Sequence, residues 1–175
     1  MNIRVAGALL LLAVPAGAQE WKRLIGDWKF DATASAQSGG GRGNPSGRGG
    51  GGGGGGGGGI GLGPPPLALS IVGDDTSLTI REIDGDSTLA TIHYRFNGKA
   101  VRNTLTVGGG RRAEVTHRSK WRGAVLESTI TRSISNAKTT TTVRLSERIY
   151  VRSDSAIVQE ITLKGRGGRS AVYRR

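Results

Sequence analysis

The sequence predicts an all-β protein, an antiparallel up-and-down β-barrel of about 8–10 strands. Three observations predict it. Short stretches alternate apolar and polar residues with period two, as in Ala90, Ile92, Tyr94 and Phe96. Turn residues bound nearly every stretch, among them Asp84-Gly85-Asp86, Asn97-Gly98 and Ser153-Asp154-Ser155. No stretch sustains a helical period, and threonine and valine gather where strands are expected, as at Thr139 to Val143.

The chain begins with a stretch that has the parts of a secretory signal. Arg4 is its basic start, Val5 to Val14 its apolar centre, and Ala16-Gly17-Ala18 the small-x-small pattern before a cut at Gln19. The apolar centre falls short of the ~20 residues that a membrane-spanning helix needs. Residues 1–18 are therefore expected to be a removed signal peptide, and the mature protein periplasmic or secreted. Cysteine is absent, which excludes disulfides, thiolate metal sites and a lipid-modified cysteine.

Residues 19–34 are expected to hold the first strand. Glu20 to Ile25 suits a helical turn that plugs a barrel end, Gly26 a sharp entry, and Asp27 to about Ala32 a strand with Trp28 and Phe30 on one side. Residues 35–66 are read as a disordered Gly/Pro-rich insertion. The unbroken run Gly49 to Gly59 has no side chain to bury, so nothing offsets the entropy of ordering it. Pro64-Pro65-Pro66 stiffens the return. Arg42 and Arg48 among glycines invite a nucleic-acid reading, but the tract has no aromatic to stack on bases, so no nucleic-acid partner is expected.

Residues 67–175 are expected to complete the barrel. Leu67, Leu69 and Ile71 alternate, then Leu78 and Ile80, then Ala90 to Phe96. Asn97-Gly98 is the strongest hairpin signal, and Ala100 to Val107 is expected to pair back across it. Four further alternating sets follow: Ala113 to Trp121, Leu126 to Arg132, Val143 to Val151 and Ile157 to Leu163. A last strand at Ser170 to Arg174 closes the chain. A meander of this length must close or expose long unpaired edges, and a monomer is expected.

The formal charge is +12, and 16 basic residues against five acidic ones follow position 100. Such an excess suits anionic partners, envelope glycans or lipid headgroups included; the plain alternative is a solvated basic surface.

Gly26-Asp27-Trp28-Lys29 resembles the G-x-W start of the lipocalin and fatty-acid-binding-protein barrels, the calycins. The resemblance implies that Gly26 and Trp28 close one barrel end and that a basic residue of the last strand, Arg174 or its neighbour Arg175, packs over the indole. Leu24-x-Gly26-x-Trp28-Lys29-x-Asp31, with the proline joint before Leu67-x-Leu69-x-Ile71, also resembles small exported bacterial lipocalin-like proteins without assigned activity. One departure limits the carry-over. The R-x-Y triplet that holds a fatty-acid carboxylate is absent from Ala171-Val172-Tyr173-Arg174-Arg175. The helical lid of those barrels is missing too, with the glycine tract in its place.

No catalytic motif stands out, and the protein is not expected to be an enzyme. His93 and His117 lie on separate strands without ligand spacing, so no metal or other cofactor is expected. Polar residues within apolar faces are the site candidates. His117 and Trp121 share a face with Val115, Arg132 follows Ile130, and Glu147 lies between Leu145 and Ile149. On one reading His117, Trp121 and Arg132 line a lumen that holds a small hydrophobic or amphipathic anion. On the other, Glu147 pairs with Arg132, or bulges turn these side chains outward. The alternative function is a non-enzymatic envelope protein whose outer arginines contact polyanions.

Overall fold

Alternation along each strand, with turns too short for crossovers, leaves an antiparallel meander as the natural outcome. The computed structural model describes residues 20–38, 64–107, 111–135, 140–163 and 167–175; the expected signal peptide and the glycine tract from 39 to 63 lie outside the described residues. The elements are α1 (Glu20–Leu24), β1 (Gly26–Phe30), α2 (Ala32–Ser38), β2 (Ala68–Gly73), β3 (Ser77–Asp84), β4 (Ser87–Arg95), β5 (Ala100–Val107), β6 (Arg111–Arg122), β7 (Val125–Ser135), β8 (Thr140–Ser153), β9 (Ala156–Leu163) and β10 (Gly167–Arg174). All ten strands form one antiparallel sheet in the order β4-β3-β2-β1-β10-β9-β8-β7-β6-β5, curled into a nearly closed barrel. The all-β, up-and-down architecture expected from the alternation is the one observed, and it is compatible with a calycin-like fold.

The inward residues are those that the period selects. Leu69, Ile71, Leu78, Ile80, Tyr94, Leu126, Ile149, Ile157 and Tyr173 form one buried cluster around Trp28. Val115, Ile130, Val143, Leu145 and Ile161 form a second, smaller cluster further along the lumen. Between the two lies a belt of polar side chains.

The first cluster is capped. Trp28 is fully buried, and its indole N–H donates to the Leu24 carbonyl at 2.8 Å, which ties α1 across the barrel end. Arg175, not Arg174, covers the indole, with its guanidinium carbon 4.4 Å from the ring centroid. The alternation explains the correction. Arg174 stands opposite the exposed Lys29 in the β1–β10 register and so points outward, where its Nε donates to Asp31 Oδ2 at 2.6 Å. Arg175, one residue on, turns to the inner side and donates to the carbonyls of Ile25 (2.6 Å) and Arg23 (3.2 Å). Gly26, at φ 129°, lets the backbone turn beneath this side chain.

Two further expectations are corrected. Residues 35–38, assigned to the insertion, belong to α2. Asp31 Oδ1 accepts the Ala34 N–H at 2.8 Å as an N-cap, the alanines of ATASAQS favour helix, and the Val172 N–H donates to Ser35 Oγ at 2.8 Å. α2 thereby covers Ala156, Val158 and Val172 on the outside of the barrel.

The second correction concerns the Asn97-Gly98 turn. It forms, with Gly98 at φ 72°, but β5 ladders with β6 and no ladder joins it to β4. The Gly98 N–H donates to the Ser119 carbonyl at 3.0 Å, which draws the turn towards β6 and away from a hairpin register. A side chain closes the seam instead. Asn103 Oδ1 accepts the His93 N–H at 2.8 Å while Asn103 Nδ2 donates to the His93 carbonyl at 3.1 Å, in place of a backbone pair.

Candidate functional site

A ten-stranded barrel is wider than its own side chains fill, and the space left over lies at the end away from Trp28. A cavity of about 270 Å³ is walled by Ile92, Leu105, Val115, Ile130, Leu145 and Ile161. Pro64 and Pro66 reach its edge, as does Leu89, which is 45% exposed. The polar groups on its lining sit at two levels.

The lower level is a floor of fully buried polar side chains, His117, Glu147 and Gln159, each 2% exposed. β8 carries Glu147 inward between Leu145 and Ile149, and β9 carries Gln159 inward between Ile157 and Ile161. Gln159 Nε2 donates to Glu147 Oε1 at 2.8 Å, and the Tyr94 hydroxyl donates to the same oxygen at 3.4 Å. Glu147 Oε2 and Gln159 Oε1 are buried without a partner. Burial pushes the Glu147 carboxyl up to about 7, against the stabilising Gln159 hydrogen bond. His117 Nδ1 lies 3.0 Å from Asn103 Nδ2. An amide nitrogen only donates, so Nδ1 accepts and the imidazole proton sits on Nε2. Burial lowers the His117 pKa to about 4, which keeps the ring neutral. The Tyr94 ring meets it edge-on at 5.0 Å.

The upper level carries charge. Arg132 on β7 and Arg169 on β10 line the cavity together with Glu82 on β3. Burial raises the Glu82 pKa, and the Arg169 charge opposes the rise. Arg132 Nε is buried and has no hydrogen-bond partner. Arg132 does not pair with Glu147. It stands opposite Val143 in the β7–β8 register, whereas Glu147 stands opposite Ser128. Four residues separate Val143 from Glu147, or about 13 Å along the strand, which is too far for an ion pair.

Of the residues marked from the sequence, His117 and Arg132 line this cavity and Trp121 does not. Trp121 lies on the same face of β6 as His117, but four residues deeper. There it packs edge-to-face on Phe96 at 5.5 Å, against the Trp28 cluster. Gln159 carries the same signal that marks Glu147, a polar residue between two aliphatic ones on an inward face. Asn103, Glu82 and Arg169 sit at irregular places (the seam, a bulged strand and the glycine-led start of β10) where alternation says little.

A neutral histidine with a pKa near 4 takes up protons poorly at neutral pH, and its Nδ1 is already engaged. Among the described residues no group of three histidine or acidic side chains is placed to hold a metal. No family model, curated protein or solved structure matches the chain.

Proposed function

We propose that this chain is an exported, lipocalin-like binding protein without catalytic activity, and that the open half of its barrel holds a small amphipathic anion. One observation carries the reading: Arg132 stands on the cavity wall with its Nε buried and unpartnered, above apolar walls. A buried guanidinium N–H left without an acceptor is costly, and a ligand carboxylate would satisfy it. The local charge agrees. Arg132 and Arg169 face the cavity, while burial favours the neutral forms of Glu82 and Glu147. At about 270 Å³ the cavity lies just below the ~300–1,000 Å³ of drug-sized pockets, so a medium-chain acid suits it better than a long-chain one. Titration calorimetry with octanoate tests this. Binding is expected, and Arg132→Gln should weaken it by roughly ten-fold or more. A folded protein that gives no heat with medium-chain acids, or an Arg132→Gln variant that binds as well as the parent, would refute it.

A second reading has its own support in the strand register. Arg102, Arg118 and Arg144 are exposed on the outer face of β5 to β8 without an ion pair among the described residues, whereas Arg122 and Arg148 pair with Glu127 and Glu160. That stripe suits a polyanionic envelope component. Retention on an anionic matrix should fall with salt and with Arg118→Glu; salt-independent retention counts against it.

A further inference from the structure

The polar floor of the cavity has unmet hydrogen-bonding capacity that a plain acyl chain would leave stranded. Gln159 Oε1 is buried and unpartnered, and Gln159 is oriented by the bond from its Nε2 to Glu147 Oε1. Glu147 Oε2 is in the same state beside it. The His117 Nε2–H is a donor on the same lining, since Nδ1 is taken by Asn103. Acceptor and donor capacity thus share the lining at the bottom of the cavity, with Glu147 about 13 Å along β8 from Val143, the register partner of Arg132.

We infer that the ligand of this barrel is bifunctional: an acid whose carboxylate meets Arg132 and whose far end carries a hydroxyl that is read by Gln159, Glu147 and His117. The inference rests on the anion-binding reading above and adds the chemistry of the tail. A hydroxyl is the smallest group that both donates and accepts, so it can give its proton to Gln159 Oε1 while accepting from His117 Nε2. A methyl tip of the same length displaces solvent from these atoms and returns nothing, which is why a site built around a hydroxyl discriminates strongly against its absence. The fixed geometry helps. Asn103 holds the His117 tautomer, and Glu147 holds the Gln159 amide, before any ligand arrives.

The test is a matched pair on the full chain, octanoate against 8-hydroxyoctanoate, by titration calorimetry at pH 6. The hydroxy acid is expected to bind roughly ten-fold tighter or more. Gln159→Met should erase that advantage, so that octanoate and its hydroxy analogue bind the variant alike, on a wall of similar volume. Should Gln159→Met fail to fold, the parent protein decides by nuclear magnetic resonance: the Gln159 side-chain amide must shift more with 8-hydroxyoctanoate than with octanoate. Octanoate binding as tightly as its hydroxy analogue overturns the tail assignment and leaves the anion reading standing. An advantage that survives Gln159→Met, or an amide indifferent to the hydroxyl, also overturns it. Failure of both acids to bind removes the anion reading and this one together.

Discussion

At the Trp28 end of the lumen bulky apolar and aromatic side chains pack on one another and the Trp28 indole N–H is tied to Leu24, while Trp121 Nε1 and the Tyr173 hydroxyl are buried there without a partner. At the Arg132 end the same strands, a few residues further along, bring together Arg132, Glu147, Gln159 and His117 around space, with several of their polar atoms unsatisfied. Both ends are built by the same alternation, so the difference is not one of fold. It is one of what the inward positions carry. Bulky residues fill the first end and stabilise the barrel, whereas at the second the guanidinium, carboxyl and amide groups without partners border open space and are accounted for if something else binds there. On the binding function proposed above, stability and recognition are separated along one axis.

The largest expected effect tests the filled end. Trp28→Ala should destabilise the protein by about 3–5 kcal/mol, because the ring is fully buried and covered by Arg175. Leu105→Ala, on a wall that already borders empty space, should cost only about 1–2 kcal/mol. Urea denaturation of the two variants reads the comparison directly. Similar losses would mean that the two ends contribute alike and that the division is wrong.

A second experiment sharpens the open end through pH. The Glu147 carboxyl is raised in the folded state from 4.5 to about 7. Its contribution is therefore fully present below pH 4.5 and is lost as pH rises towards 7. His117 is lowered from 6.5 to about 4, so its contribution is present above pH 6.5 and is lost as pH falls towards 4. The two slopes oppose each other across nearly the same window, each on the order of 2–3 kcal/mol, and should almost cancel in the parent protein. Glu147→Gln keeps the shape and removes the falling slope. The variant should match the parent near pH 4 and exceed it by about 2–3 kcal/mol at pH 8. A constant difference across that range would show that Glu147 does not titrate as a buried carboxyl.

Most of the fold was legible because a period of two needs nothing but local sequence. Leu145, Glu147 and Ile149 face inward for the same reason that Arg144, Ser146 and Arg148 face out. What alternation does not encode is depth along the barrel axis. Trp121 and His117 share a face, yet one joins the Trp28 cluster and the other lines the cavity, and only the registers across six or more strands decide which. Closure was equally opaque. Asn97-Gly98 signals a tight turn correctly, but whether its flanking strands then pair depends on where β6 pulls β5, and the Asn103 side chain that stitches the gap is a long-range contact with no local mark. The α2 helix, by contrast, did leave a local mark. Asp31 before an alanine-rich stretch is an N-cap signal, masked by the glycine tract that follows.

The smallest effect bears on how the filled end is sealed. Arg175 lies over the indole and donates to two carbonyls at the α1–β1 joint, whereas Arg174 makes one exposed ion pair with Asp31. Arg175→Ala should therefore lower stability by about 1–2 kcal/mol, from the lost cation–π contact and the stranded carbonyls. Arg174→Ala should lower it less, since a solvent-exposed pair is screened and loses side-chain entropy in forming. Salt separates the two further: moderate sodium chloride should shrink the Arg174 effect and leave most of the Arg175 effect, because stacking on a buried ring is not a long-range interaction. The measurement is the urea midpoint of both variants with and without added salt. If Arg174→Ala proved the more damaging, the seal would lie in the Asp31 pair that anchors α2 and β10, and the covering of Trp28 would be incidental to it.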